Sequence, residues 1–310
     1  MYSQELAGVA KSAFAASLFS ANIYYFLTSN YFAATAAEIP LLHLWSLGVE
    51  EQFYIFFPLL AILLAKANKR VFVGTLIALL DVLIVLSEWA LNHSPSSAFY
   101  LLPFRAFELL IGCAIAFPQR AYPQTPIINN VLLGLAFLVL FFCICCYTSD
   151  MSFPGFNALL PCLATAILLL VGSGKSALSI RLLENEPARY IGKLSYSLYL
   201  LNWPVIVFGK RLFPNATAFH FNVSVLVATF ILAAICYRLV ETPFRATKRS
   251  SSPLRIYGNS LASLCCIMAI SGLTIYKNGF TESPDERVAK AMSYLQYDPK
   301  PAFRTGECFF

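Results

Sequence analysis

"HLWSLGVEEQFYIFFPLLAILL", residues 43–64, carries a histidine and two adjacent glutamates into an otherwise unbroken apolar run. As a helix this stretch is long enough to cross roughly 30 Å of hydrocarbon. An ionised side chain at a bilayer centre costs roughly 2.5–3.5 kcal/mol on insertion scales. Something must therefore offset or use the charges of His43, Glu50 and Glu51. On a helical period His43, Ser46, Glu50 and Tyr54 form one polar stripe, with Glu51 about 100° around from Glu50. Two readings stay open: interfacial anchoring with a stabilising basic partner, or an intramembrane functional site.

The rest of the chain supports a membrane setting. Of 310 residues, 58% are hydrophobic and 12% charged, about half the charged content of a soluble domain. Apolar stretches near 6–27, 41–65, 70–91, 98–117, 127–147, 155–172, 191–211, 220–241 and 255–276 predict an all-α, polytopic bundle of about nine spans. Lipid gives a bare backbone no hydrogen-bond partner, so helices are the expected spanning element. With a cytoplasmic N-terminus, inside loops hold twelve basic residues, and only Lys210 and Arg211 cap an outer end. That asymmetry is the positive-inside pattern. The net charge of +6 is explained by orientation and gives no ground for nucleic-acid binding. Residues 1–276 read as one membrane domain. Residues 277–310 read as a short extracytoplasmic tail, a linker or the start of a further domain.

The cysteines, eight of them inside predicted spans, show no zinc-type spacing and read as buried filler. No metal site is expected. "LLLVGSGKS", 168–176, imitates a phosphate loop but has Leu169 where the first glycine belongs.

A partner for the glutamates is present in "AFYLLPFRAFELLIGCAIAF", residues 98–117, where Arg105 and Glu108 share a face. Together these residues predict a His43/Glu50/Glu51/Arg105/Glu108 cluster in the outer half of the membrane. His43 would serve as a general base on a hydroxyl and Arg105 as an anion holder, or the set would be a closed ion-pair network. A further stretch, "IGKLSYSLYLLNWPVIVFGKR", 191–211, adds the hydroxyls of Ser195, Tyr196 and Tyr199. Trp203 and Pro204 follow, the proline being expected to kink the helix and free backbone carbonyls. Those hydroxyls suit a polar cavity or interhelical hydrogen bonds equally well.

These motifs, with "YRLVETPFR" at 237–245, come in the order and spacing of the acyltransferase-3 family of bacterial inner-membrane proteins. More narrowly, the chain resembles members that O-acetylate O-antigen and other envelope glycans. The resemblance implies acetyl-CoA as cosubstrate and a cell-envelope polysaccharide or lipid-linked glycan as acceptor. It assigns transfer to His43, Glu50, Glu51 and Arg105, and substrate contact to Tyr54, Glu108, Ser195, Tyr196, Tyr199 and Trp203. Family members carry two spans ahead of the matched region, the first with an arginine and a histidine, and a Trp-His-Trp-Pro where this chain has Leu201-Asn202-Trp203-Pro204. Longer members continue into an SGNH-type domain, so the chain reads as an internal portion of a longer enzyme, with its activity in that form open. A proton-coupled glycan transporter is the alternative on composition alone, although the Trp203-Pro204 break has no counterpart in the other half.

Overall fold

The computed structural model describes residues 3–28, 38–64, 66–116, 125–148, 151–172, 181–245 and 253–280. Among these residues regular structure is helical, with no strand. The elements are α1 (Ser3–Ser17), α2 (Ala21–Thr28), α3 (Leu44–Leu64), α4 (Lys69–His93), α5 (Pro95–Tyr100) and α6 (Leu102–Ala116). They continue with α7 (Pro126–Cys146), α8 (Leu159–Gly172), α9 (Glu186–Leu212), α10 (Ala218–Cys236) and α11 (Pro253–Tyr276). Most of the 173–190 connection's first half, and the tail beyond Phe280, lie outside the described residues.

Among the described residues seven segments are long and apolar enough to cross a membrane: 44–64, 70–93, 95–115, 126–146, 155–172, 218–241 and 257–276. Their side chains are turned inside out relative to a soluble bundle. Leu63, Ile127 and Ile144 are 77%, 78% and 80% exposed, the pattern of helices solvated by lipid. Cys145, Cys146, Cys265 and Cys266 are exposed on these faces, so the expectation of buried filler holds only for Cys143 and, in part, for Cys113, Cys162 and Cys236.

The two remaining expected spans differ from the sequence reading. The stretch 6–27 is not one crossing. It breaks at Leu18–Ser20, with Phe19 at a positive φ of 54°, and α2 doubles back so that Tyr24 and Tyr25 share a cavity wall with Gly8, Val9 and Ser12. Sequence periodicity missed the corner because both arms are apolar. Glu5 consequently pairs with Arg211 at the far end of α9. Glu5 and Arg211 therefore lie at the same end of the bundle, whereas the expected topology put them at opposite ends. The other case is α9, whose 27 residues span about 40 Å at 1.5 Å per residue. It is long enough to cross, with charges crowded at its ends. Pro204 does not interrupt it. By contrast the expected span 98–117 is divided, since Leu101 is extended (ψ 138°) between α5 and α6.

Packing joins α7 to α8, α4 to α6, α6 to α8 and α9 to α10, while α1 lies along α11. One cluster, Phe107, Ile111 and Ala158, binds α6 to the base of α8 and takes in Leu80, Leu83 and Ile84 of α4. A second, Ala21, Tyr25, Leu42, Phe99 and Tyr100, gathers α2, the lead-in to α3 and α5, with Trp45 and Trp203 against it. This second cluster seats the functional residues.

Candidate active site

The lead-in to α3 descends along α9 and is held at three levels. Arg211 donates to the Glu38 carbonyl (3.1 Å), Trp203 Nε1 to the Ile39 carbonyl (2.8 Å), and the Tyr199 hydroxyl to the His43 carbonyl. Tyr199 and Trp203 are four residues apart and so share one face of α9. Tyr199 stands thirteen residues into a 27-residue helix, about 18 Å below Arg211. His43 thus stands at the head of α3, level with the middle of α9.

At that level the Tyr199 hydroxyl also pairs with Ser46 Oγ at 2.6 Å, and the His43 ring stands edge-on to the Tyr199 ring, centroids 5.4 Å apart. Both His43 nitrogens are buried without a hydrogen bond of normal geometry. The Leu200 carbonyl nonetheless interacts with the imidazole. That carbonyl is the one that residue 204 would bond in a regular helix, and proline has no N–H to offer it. The freed acceptor expected beside Pro204 is therefore directed at His43.

Further along α3, Glu50 lies in the field of Glu51. Tyr196 feels Glu50, Glu51 and Glu241 together, and Tyr54 feels Glu50 and Glu51. Sequence reading did not place Glu241 here. After α10 the chain widens into a π-turn, Tyr237–Glu241, a form often met at functional sites, and Glu241 accepts from the buried Ser197 hydroxyl at 2.8 Å. The seam between α3 and α9 thus runs from His43, Ser46 and Tyr199 to a three-carboxylate group around Tyr196.

Arg105 and Glu108 are held elsewhere. Arg105 Nε and Glu108 form an ion pair at 3.1 Å, and the guanidinium lies over the rings of Trp45, Phe99 and Phe153 at 5.1–5.5 Å. Trp45 and Glu50 are five positions apart, about 140° around α3, so the arginine sits on the flank away from the Glu50 stripe. Ser195 also stays out of the seam: it is exposed and donates to its own helix at Gly192.

Two residues missed from sequence fix the register of α3. Asn22, wholly buried, exchanges hydrogen bonds with Gln52 (3.3 and 2.9 Å) and donates to the Tyr100 carbonyl. Gln52 also donates to the Phe19 carbonyl at the α1–α2 corner (2.9 Å). Gly48 makes room: a Cβ there would lie 2.8 Å from Asn22 Oδ1. An amide adjoining the Glu50-Glu51 pair and an asparagine in an apolar stretch were the available signals. No group of metal-binding side chains occurs among the described residues.

A family model described as an acyltransferase domain matches residues 7–238. The chain belongs to the acyltransferase-3 family. Two curated relatives illustrate the likeness. The peptidoglycan O-acetyltransferase OatA of Listeria monocytogenes is 29% identical over 251 residues, 74% of this chain and 39% of the relative. The O-acetyltransferase OatA of Staphylococcus aureus is 29% identical over 247 residues, 74% of this chain and 40% of the relative. The chain spans less than half the length of the curated relatives it matches. No solved structure matches it. The match runs from α1 to the start of the π-turn and takes in every residue of the seam except Glu241.

Proposed function

We propose that this chain is the membrane portion of a bacterial inner-membrane O-acetyltransferase that moves an acetyl group from cytosolic acyl-CoA to a hydroxyl of a cell-envelope polysaccharide. The peptidoglycan named for the Listeria relative is the first acceptor to try, with O-antigen as the second. The observation that carries this reading is the seam itself: a buried imidazole, two hydroxyls and three carboxylates meeting inside a helix bundle, where each charge is costly unless used.

The reaction converts a thioester and an alcohol into an ester and a thiol. A proton must leave the acceptor hydroxyl and reach the departing sulfur. His43 is the group suited to accept it, because an imidazole can both take up and release a proton. Tyr199 and Ser46 hold the peptide that carries this imidazole, and the freed Leu200 carbonyl orients the ring. Glu50, Glu51 and Glu241 supply carriers for the proton on the cytosolic side. Tyr54 and Tyr196 present hydroxyls along the same line to substrate. Arg189, Lys193 and Arg238, exposed near the cytosolic ends of α9 and the π-turn, suit the phosphates of acyl-CoA as point charges. Arg105 serves this reading as a packed anchor for α6 and α3.

The test is glycan O-acetylation in a strain lacking the activity. It compares the chain alone, the chain joined to the family's two leading spans, and the joined chain carrying Glu50→Gln. Acetylation by the joined chain, lost on Glu50→Gln at equal membrane abundance, is the expected outcome. Full activity of the Glu50→Gln chain would remove the carboxylates from the mechanism. Stable insertion of the joined chain without any acetylation would overturn the reading.

A further inference from the structure

A cavity of mixed polar and apolar lining opens at the Arg211 end of the bundle. Its volume is about 240 Å³, below the range of roughly 300–1,000 Å³ common for drug-sized ligands and suited to a single ring. Glu5 and Ser12 of α1, Tyr24 of α2, Glu38 and Ile39 of the lead-in, and Arg211 of α9 line it. The walls thus come from four segments that the α1–α2 reversal brings together.

Charge, shape and position narrow the occupant. Arg211 is neutralised by Glu5 at 3.0 Å and Glu38 adds a second carboxylate to the lining, so the cavity offers hydrogen bonds without net positive charge, a poor match for a phosphate or other free anion. The ion pair is about one-third exposed on each side (32% and 39%), leaving donors and acceptors of both partners open to a ligand. Val9 and Pro40 supply apolar wall between these polar groups. An alternation of hydroxyl-binding edges and an apolar patch is what a pyranose ring presents in complement. The floor is shared with the active site, since Ile39 both lines the cavity and accepts the Trp203 indole. Trp203 is one turn, about 6 Å, above Tyr199.

We infer that this cavity is an acceptor subsite that holds one neutral pyranose of the envelope glycan, adjacent to the unit whose hydroxyl is acetylated. The inference rests on the proposed transfer function for the ligand's identity. Binding to the ion pair and Tyr24 sets which sugar hydroxyl reaches the His43 level.

Saturation-transfer NMR on the chain in detergent, with an N-acetylglucosamine pentamer and no acyl donor, tests it directly. The expected result is saturable transfer to ring protons, with affinity reduced at least tenfold by Arg211→Gln and severalfold by Tyr24→Phe. The charge-reversed pair Glu5→Arg with Arg211→Glu separates binding from architecture. It restores the interhelical clamp with the donors inverted, so thermal stability returns and sugar affinity does not. Absence of saturable binding, unchanged affinity in Arg211→Gln, or full affinity in the reversed pair would each overturn the subsite. Glu50→Gln should bind the pentamer as the unaltered chain does. Loss of sugar binding in Arg211→Gln therefore stands even if the transfer reading fails, and intact transfer without binding removes the subsite alone.

Discussion

The bundle holds its charged residues in two contrasting ways. In the α4–α8 block Arg105 and Glu108 are ion-paired with each other, with side chains 13% and 20% exposed, and the guanidinium is packed on three aromatic rings. Along the α3–α9 seam the glutamates face hydroxyls and one another. Helix-to-helix packing is extensive between α7 and α8 and between α4 and α6, whereas α9 reaches α1 and the α3 lead-in through a guanidinium, an indole and a phenol. The first region is built to stay closed. The second gathers acid–base groups beside hydroxyls and one another, which is expensive for stability and useful for chemistry.

That contrast predicts opposite responses to substitution. Glu108→Ala removes the carboxylate ion-paired with a partly buried arginine, and removal of one partner from a buried pair costs about 3–5 kcal/mol. Thermal unfolding in detergent should show a large loss. The joint replacement Arg105→Met with Glu108→Leu should recover most of it, because apolar groups of similar volume often substitute for a buried pair. Glu50→Gln should leave thermal stability unchanged or raise it while abolishing transfer. A strongly destabilised Glu50→Gln would mean that the seam is also a closed structural network, and the contrast would fail.

The register lock comes next in size. Gly48→Ala forces a methyl to within 2.8 Å of Asn22 Oδ1, and overpacking of this kind typically costs about 1–3 kcal/mol. The expected outcome is a lower unfolding temperature together with reduced transfer, since α3 carries Glu50 and Glu51 past the same contact. Normal stability and activity would show that the α1–α2 corner moves freely against α3. Tyr199→Phe removes the bonds to Ser46 and the His43 carbonyl. Interhelical hydrogen bonds in membranes average about 0.6 kcal/mol with a maximum near 1.7, so its stability loss should be modest and its activity loss larger.

The membrane fold was legible because composition and span length act locally, and seven of the expected crossings meet those criteria. The polar stripe on α3 and the hydroxyls of α9 were legible for the same reason: periodicity puts residues on faces. Pairing across faces was not. Arg105 looked like the natural counter-ion for Glu50 by depth, yet Trp45 and Phe99 draw it around the other flank of α3. The reversal at Phe19 was hidden because two short apolar arms have the composition of one span, and only the contact between Glu5 and Arg211 reveals the difference. Glu241 is visible in the YRLVETPFR motif, but its place beside Ser197 depends on the π-turn, which periodicity does not show.

The smallest expected change in stability comes from Pro204→Ala, and it isolates the link between backbone and imidazole. Alanine restores an N–H at position 204 and can close the ordinary bond to the Leu200 carbonyl. The carbonyl is then satisfied within α9 and withdrawn from His43. Helix stability should hold or rise, since proline in a helix interior is the poorest former. Orientation of a catalytic imidazole depends on the bond its other nitrogen makes, so transfer should fall about tenfold, the change lying in kcat and not in the KM for acceptor. That split matters because a merely structural proline would move stability and leave kcat in place. If Pro204→Ala proved more stable and equally active, His43 would owe its orientation to Tyr199 alone, and the seam would depend on side-chain contacts without this backbone acceptor.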